Sequence, residues 1–208
     1  MTPEFNDKQQ NILQVAEKLF AEKGFDGTSI RDIAKDANVN VAMISYYFGS
    51  KEKMLESLVL SRMADLKILL TNLANESTSP LEKIEKLIEL YIGRICKNRG
   101  IYKIMYFELN TQQRVKSMEV FSEIKKSNLE QIAKIITEGQ EKGVFSKNVN
   151  VALIPTTIVG TFFHFNLNAY FYMELLGLKT DAELDRYIKT DLTKHIQQTI
   201  KALLLHEN

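Results

Sequence analysis

Three prolines and nine glycines are all the punctuation this chain of 208 residues carries. Between them the apolar residues recur every three or four positions, and strand-type alternation is scarce. A backbone with so few breakers, rich in Lys, Glu, Leu and Ile, favours helix, and an all-α fold is expected. Apolar content of 45% and charged content of 25% suit a globular protein with a real core. A net charge of +1 sets up no strong overall field toward nucleic acid or membrane. The single cysteine, Cys96, leaves no partner for an intrachain disulfide and no thiolate cluster for a metal. The opening "MTPEFNDKQQ" is polar and acidic, unlike a signal peptide. The most apolar run, residues 151–165, is interrupted by Pro155, three threonines and His164, which makes it a poor membrane span. A cytoplasmic protein without a membrane partner is expected.

The first fifty residues carry the most information. Ile12, Val15, Ala16, Leu19 and Phe20 form one stripe of an amphipathic helix, with Gly24 as its stop. Ser29 with Asp32 three residues on reads as a capping box in its acidic form, opening a short second helix with Ile30, Ile33, Ala34 and Ala37 inside. Asn38 is a turn residue and Asn40 a helix N-cap. In the third helix Ile44 and Phe48 lie four apart and point inward. Ala42, Met43, Ser45, Tyr46 and Tyr47 are left facing outward or sideways. Two short helices joined by such a turn make a helix-turn-helix, whose second helix enters the major groove of DNA. Ala42 and Met43 suit thymine methyls, and Ser45 and Tyr46 suit base edges or phosphates. Tyr47 stands at the edge of that face, within reach of a phosphate. Lys51, in the first turn of the next helix, adds an ammonium to outward backbone N–H groups. The plainer alternative packs Tyr46 and Tyr47 against the first helix and leaves Lys51 solvated. Residues 1–53 carry six Lys and one Arg against eight acids, so the module is not basic, and DNA binding would rely on a pair of modules.

At this point the stretch "ILQVAEKLFAEKGFDGTSIRDIAKDANVNVAMISYYFGSKEKMLESL", residues 12–58, resembles the TetR/AcrR family of bacterial transcriptional regulators. The segments "AEKLFAEKGFDGTS", "IRDIAKDANVN" and "YYFGSKEKML" carry the resemblance, over about a quarter of the chain. It implies a three-helix DNA-binding domain at 1–50 and a helical ligand-binding and dimerisation domain at 51–208, about nine helices in all, with helix 51–73 as connector. It implies base-side contacts from Ala42, Met43, Ser45, Tyr46 and Tyr47, and phosphate contacts from Thr28 or Ser29 and from Lys51. Ser45 departs from the family pattern, where a larger residue is common, and leaves base reading at that slot open.

Beyond the connector, helices are expected at 81–95, 101–109, 115–141, 150–176 and 181–205. The segment "PTTIVGTFFHFNLNAYFYMELLG" bears large apolar residues nearly all round, and such a helix needs cover on several sides. A second copy related by a two-fold axis supplies it. The expected seam is Phe163, Tyr170 and Phe171 with Leu192, Ile196 and Ile200; the resemblance agrees, pairing helices eight and nine of two subunits. A pocket among helices five to eight has Tyr91, Tyr102, Met105, Tyr106, Phe162, His164 and Asn166 as candidate lining, which suits an apolar or neutral small molecule. For His164 the plainer role is a core or interface histidine.

Three histidines, His164, His195 and His206, show no metal spacing, and neither a Gly-rich phosphate loop nor a nucleophile elbow is present. No cofactor, no metal and no catalysis are expected. The reading is a sequence-specific regulator that binds a palindromic operator in double-stranded DNA as a homodimer, a repressor released by a small molecule. The alternatives are an architectural or division-control protein without a ligand, and an activator.

Overall fold

The computed structural model describes residues 5–110 and 119–205, and every regular element among them is helical. The described residues form two compact units, one up to Ile68 together with 98–126, the other 69–97 with 127 onward. The first unit holds α1 (Asp7–Lys23), α2 (Ile30–Asp36), α3 (Val41–Phe48), most of α4 (Lys51–Ala74) and α6 (Arg99–Asn110). Each short helix starts on a side-chain cap. Asn6 and Gln9 make a reciprocal box at α1, Ser29 and Asp32 make one at α2, and Asn40 Oδ1 accepts from the Met43 amide at 2.7 Å. Asn38 takes a φ of 53° in the turn, the left-handed conformation Asn tolerates.

The apolar stripes named above close this unit's core. Ile12, Ala16, Phe20, Ile33, Ile44 and Leu58 are buried in one cluster with Ile101 and Ile104 of α6. Placing α6 here departs from the expected 1–50 and 51–208 division. A Cβ on Gly100 would lie 3.3 Å from the Ala21 Cβ, Lys103 Nζ donates to the Ala21 carbonyl at 3.2 Å, and Arg62 of α4 pairs with Glu17 of α1 at 2.7 Å.

The second unit, the body, contains α5 (Pro80–Lys97), most of α7 (Glu119–Glu141), α8 (Leu153–Leu167), α9 (Ala169–Leu176), α10 (Asp181–Tyr187) and α11 (Thr193–Leu204). Ile84, Leu87, Ile88, Ile132, Ile135, Ile158, Phe162, Ile196 and Ile200 are its buried core. Lys83, 2% exposed, donates to Glu138 at 2.7 Å and to the Ala74 carbonyl at 2.9 Å. The single helix expected over 150–176 is broken at Asn168, whose side-chain amide donates to the His164 carbonyl at 2.8 Å beside its own backbone N–H at 3.2 Å. After the break Tyr172 stacks on Phe165 at 4.5 Å between ring centres, and Tyr187 lies on Phe165 at 5.6 Å. Part of the apolar surface assigned to a partner is therefore covered within one protomer. The helix expected from 181 passes through a π turn, Ile188–Leu192, in which the Thr193 hydroxyl donates to the Ile188 carbonyl at 2.8 Å. The start expected for α7, at Val115, lies outside the described residues. No helix among the described residues is long and apolar enough to cross a membrane.

Candidate functional site

Helix α3 separates its two faces as its spacing requires. Ile44 and Phe48 are buried at 1% and 6% exposure, while Tyr46 is 84% exposed. Ala42 and Ser45 are exposed, and Met43 and Tyr47 are half-buried. Tyr47 packs against the core cluster and meets the Tyr46 ring edge-on at 5.4 Å. It braces Tyr46 from the side, so the outward tip of α3 is an exposed phenol on a buttressed base. Beside the turn lies a groove of about 630 Å³, lined by Lys8, Asn11, Asn38, Asn40 and Met43. Asn11 donates to the Ala37 carbonyl at 3.1 Å and locks the turn to α1.

The phosphate-contact expectations change. Thr28 is 1% exposed, and its hydroxyl donates to the carbonyls of Leu19 and Gly24 at 3.1 and 2.8 Å. It fastens the α1–α2 loop and has no surface to offer a phosphate. The Ser29 hydroxyl lies 2.6 Å from Asp32 Oδ2, and that carboxylate also accepts from the Ser29 amide at 3.0 Å. These two bonds, the side-chain one first, hold the Asp32 carboxyl below its ordinary range, so the N-terminus of α2 already carries an anion. Lys51 Nζ donates to the carbonyls of Phe25 and Thr28, both at 2.9 Å, which occupies two of its three N–H groups. Arg31 and Lys53, in the first turns of α2 and α4, are exposed cations that the sequence reading passed over. Their positions next to the two capped helix starts were the available signal.

In the body the pocket candidates do not converge. Tyr91 and Phe162 are buried, Asn166 is half-buried, and His164 is exposed. Tyr102 and Met105 pack against the first unit's core, because α6 lies on α1. The side chain of Tyr106 lies outside the described residues. His164 lines an open groove of about 590 Å³ with Gly160, Phe165, Tyr172, Leu176 and His195.

The seam candidates divide. Leu192, Ile196 and Ile200 are 6%, 1% and 0% exposed and belong to their own protomer's core, because the apolar stripe of α11 faces α5 and α8. Phe163 is half-buried. Tyr170 and Phe171 are 85% and 57% exposed, and Leu153, Leu175 and Leu203 add apolar surface that the sequence reading did not single out.

Comparison with known proteins gives the following. Residues 12–58 match the model for bacterial regulatory proteins of the tetR family, and residues 80–200 match a tetracyclin repressor-like C-terminal domain. The HTH-type transcriptional repressor KstR2 of Mycobacterium tuberculosis is 27% identical over 152 residues, 72% of this chain and 74% of the relative. The fatty acid metabolism regulator protein of Bacillus subtilis is 27% identical over 154 residues, 74% of this chain and 79% of the relative. Among solved structures, the transcriptional regulator FadR from Bacillus subtilis in complex with stearoyl-CoA superposes with a TM-score of 0.75 at 22% identity, over 93% of this chain and 97% of that one.

Proposed function

Starting from a chain that belongs to the tetR family of bacterial regulatory proteins, we propose a dimeric transcriptional repressor that reads a palindromic operator through α3 and is released by an apolar-bodied small molecule held in the body. The observation that carries the DNA reading is the 84% exposure of Tyr46 on a helix whose opposite face is core. A solitary apolar protrusion of that size has no packing role, and an aromatic with a phenolic hydroxyl serves base edges and backbone equally. Ala42, Met43 and Ser45 supply the rest of the base-facing surface, and Tyr47 is the buttress. Arg31 and Lys53, both exposed, supply the phosphate side.

Two such heads read half-sites about 34–36 Å apart when a dimer holds them. The exposed apolar residues of α8 and α9, Leu153, Tyr170, Phe171 and Leu175, support that dimer, and Phe163 stays in the proposed seam. A ligand that favours a different head spacing lowers the DNA-competent population. The complex of the similar regulator with stearoyl-CoA supports an apolar-bodied effector for this chain.

The test is mobility-shift titration on the promoter DNA beside its own coding region. Wild type gives a salt-dependent, sequence-selective shift. Tyr46→Ala loses at least tenfold in affinity with its melting temperature and oligomeric state unchanged. Equal losses of affinity and stability would return Tyr46 to the core, and the absence of a selective shift for wild type would reject self-regulation.

A further inference from the structure

The inward stripe of α7 changes character along its length. Ile132, Ile135 and Ile136 are fully buried, as a core helix requires, but the same stripe continues toward the N-terminus through Gln131 and Asn128, at 7% and 5% exposure. Gln131 accepts from Lys134 on its own helix at 3.2 Å. The side-chain oxygen of Asn128 is buried with no hydrogen-bond partner. An unmatched amide oxygen in an interior costs stability, and native chains keep such a group where it has work to do.

What stands level with Asn128 follows from the pairs at one end of the body. Lys83, at the start of α5, holds Glu138 near the end of α7. Lys201 pairs with Glu85, and Gln197 donates to Glu89 at 3.2 Å, so α11 runs antiparallel to α5. The Ser146 backbone amide, just past α7, donates to the Leu204 carbonyl at the end of α11. The start of α5 and the ends of α7 and α11 therefore meet at that end, and α5 and α7 run away from it in opposite chain directions. Three turns from the Lys83–Glu138 pair, roughly 15–17 Å away at 1.5 Å per residue, α5 presents Arg94 and α7 presents Asn128. One turn nearer stand Tyr91, 7% exposed, and Gln131. Polar side chains thus occupy two successive turns at that end of the body, whose buried core is otherwise mostly Ile, Leu and Phe.

We propose that Asn128 and Arg94 are the polar anchor of the body's ligand, with the Asn128 oxygen accepting from an amide N–H or hydroxyl on the head group and Arg94 donating to a neighbouring carbonyl. This rests on the reading of the body as a small-molecule sensor and narrows it. The ligand has an aliphatic body and a head that both donates and accepts. A head that only accepts, such as a carboxylate or a ketone, leaves Asn128 unmatched and binds less well.

Calorimetry on the full chain without DNA tests this, using stearoyl-CoA, whose pantetheine arm bears amide N–H groups, and stearate, which bears none at neutral pH. Wild type binds stearoyl-CoA at least tenfold more tightly than stearate. Asn128→Leu brings the two affinities within threefold of each other and raises the melting temperature by a few degrees, because it removes an unmatched buried oxygen. Asn128→Ala loses the same selectivity without added bulk, which covers the case in which Leu does not fit. The proposal is overturned if both variants keep the selectivity, if both melt lower with affinities unchanged, if wild type does not discriminate, or if wild type binds neither probe. Mobility shift on the same preparations scores the regulator reading separately, since loss of probe binding with DNA binding intact strikes only the anchor.

Discussion

The Lys51 ammonium stands 4.3 Å over the Phe25 ring centre and 2.9 Å from the Phe25 carbonyl oxygen. A second bond at 2.9 Å, to Thr28, makes it a clasp between the first turn of α4 and the loop that follows α1. That loop carries the buried Phe25 and Thr28, so a residue expected at the DNA backbone acts first as an internal tie.

Lys51→Met should therefore cost about 1–2 kcal/mol from lost hydrogen bonds and cation–π contact, or roughly 2–6 °C in melting temperature. The slope of log affinity against log salt for operator binding should stay nearly unchanged. Arg31→Ala and Lys53→Ala should each flatten it by about one unit with little effect on stability. A full unit lost in Lys51→Met would put its third N–H on a phosphate.

Asn40→Ala should remove the cap on α3 at a cost of about 1 kcal/mol. Because the cap sets where the reading helix begins, affinity for the operator should fall further than global stability. Urea unfolding and mobility shift on one preparation separate the two, and equal losses would mean that the cap only stabilises.

Glu138 gives the body an acid-sensitive joint. Hydrogen bonds from Lys142 and then Lys83 hold its carboxyl below the ordinary value of 4.5. A folded-state value depressed in this way contributes stability that is complete above the unfolded value and is lost as pH falls through the folded one. Glu138→Gln should lower stability at pH 7 and reduce the slope of stability against pH below about 4.5. Asp32 and Glu82, lowered by Ser29 and Ser79, keep part of that slope. Lys83→Met combined with Glu138→Leu should be milder than Glu138→Leu alone, which strands a buried ammonium.

Phe171→Glu and Leu175→Glu should each yield monomers by light scattering with little change in melting temperature, because both side chains are exposed in the protomer. Ile196→Glu should unfold the body, because that side chain is 1% exposed. Dimers retained by both α9 variants would place the seam elsewhere.

Much of the head was legible in the chain. Caps, turn residues and the Ile44–Phe48 spacing act within a few residues, so the starts at Ser29 and Asn40 and the outward set on α3 follow from local physics, whereas the equally local Asn6–Gln9 box at α1 was passed over. Gly139 shows the opposite case. A Cβ there would stand 2.0 Å from the Phe145 ring, a constraint that exists only once the chain folds back over α7. The polar stripe on α7 was readable from the spacing of Asn128 and Gln131 ahead of Ile132, Ile135 and Ile136, but its meaning needed the burial that only the fold supplies.

By itself the sequence determined an all-helical protein with a helix-turn-helix head, because periodicity and capping are short-range and each segment states its own. The tertiary structure decided the tasks of Thr28 and Lys51, the membership of α6 and the inward turn of Leu192, Ile196 and Ile200. An apolar stripe or a lone ammonium specifies that it needs a partner, and only the packed chain says which one it finds.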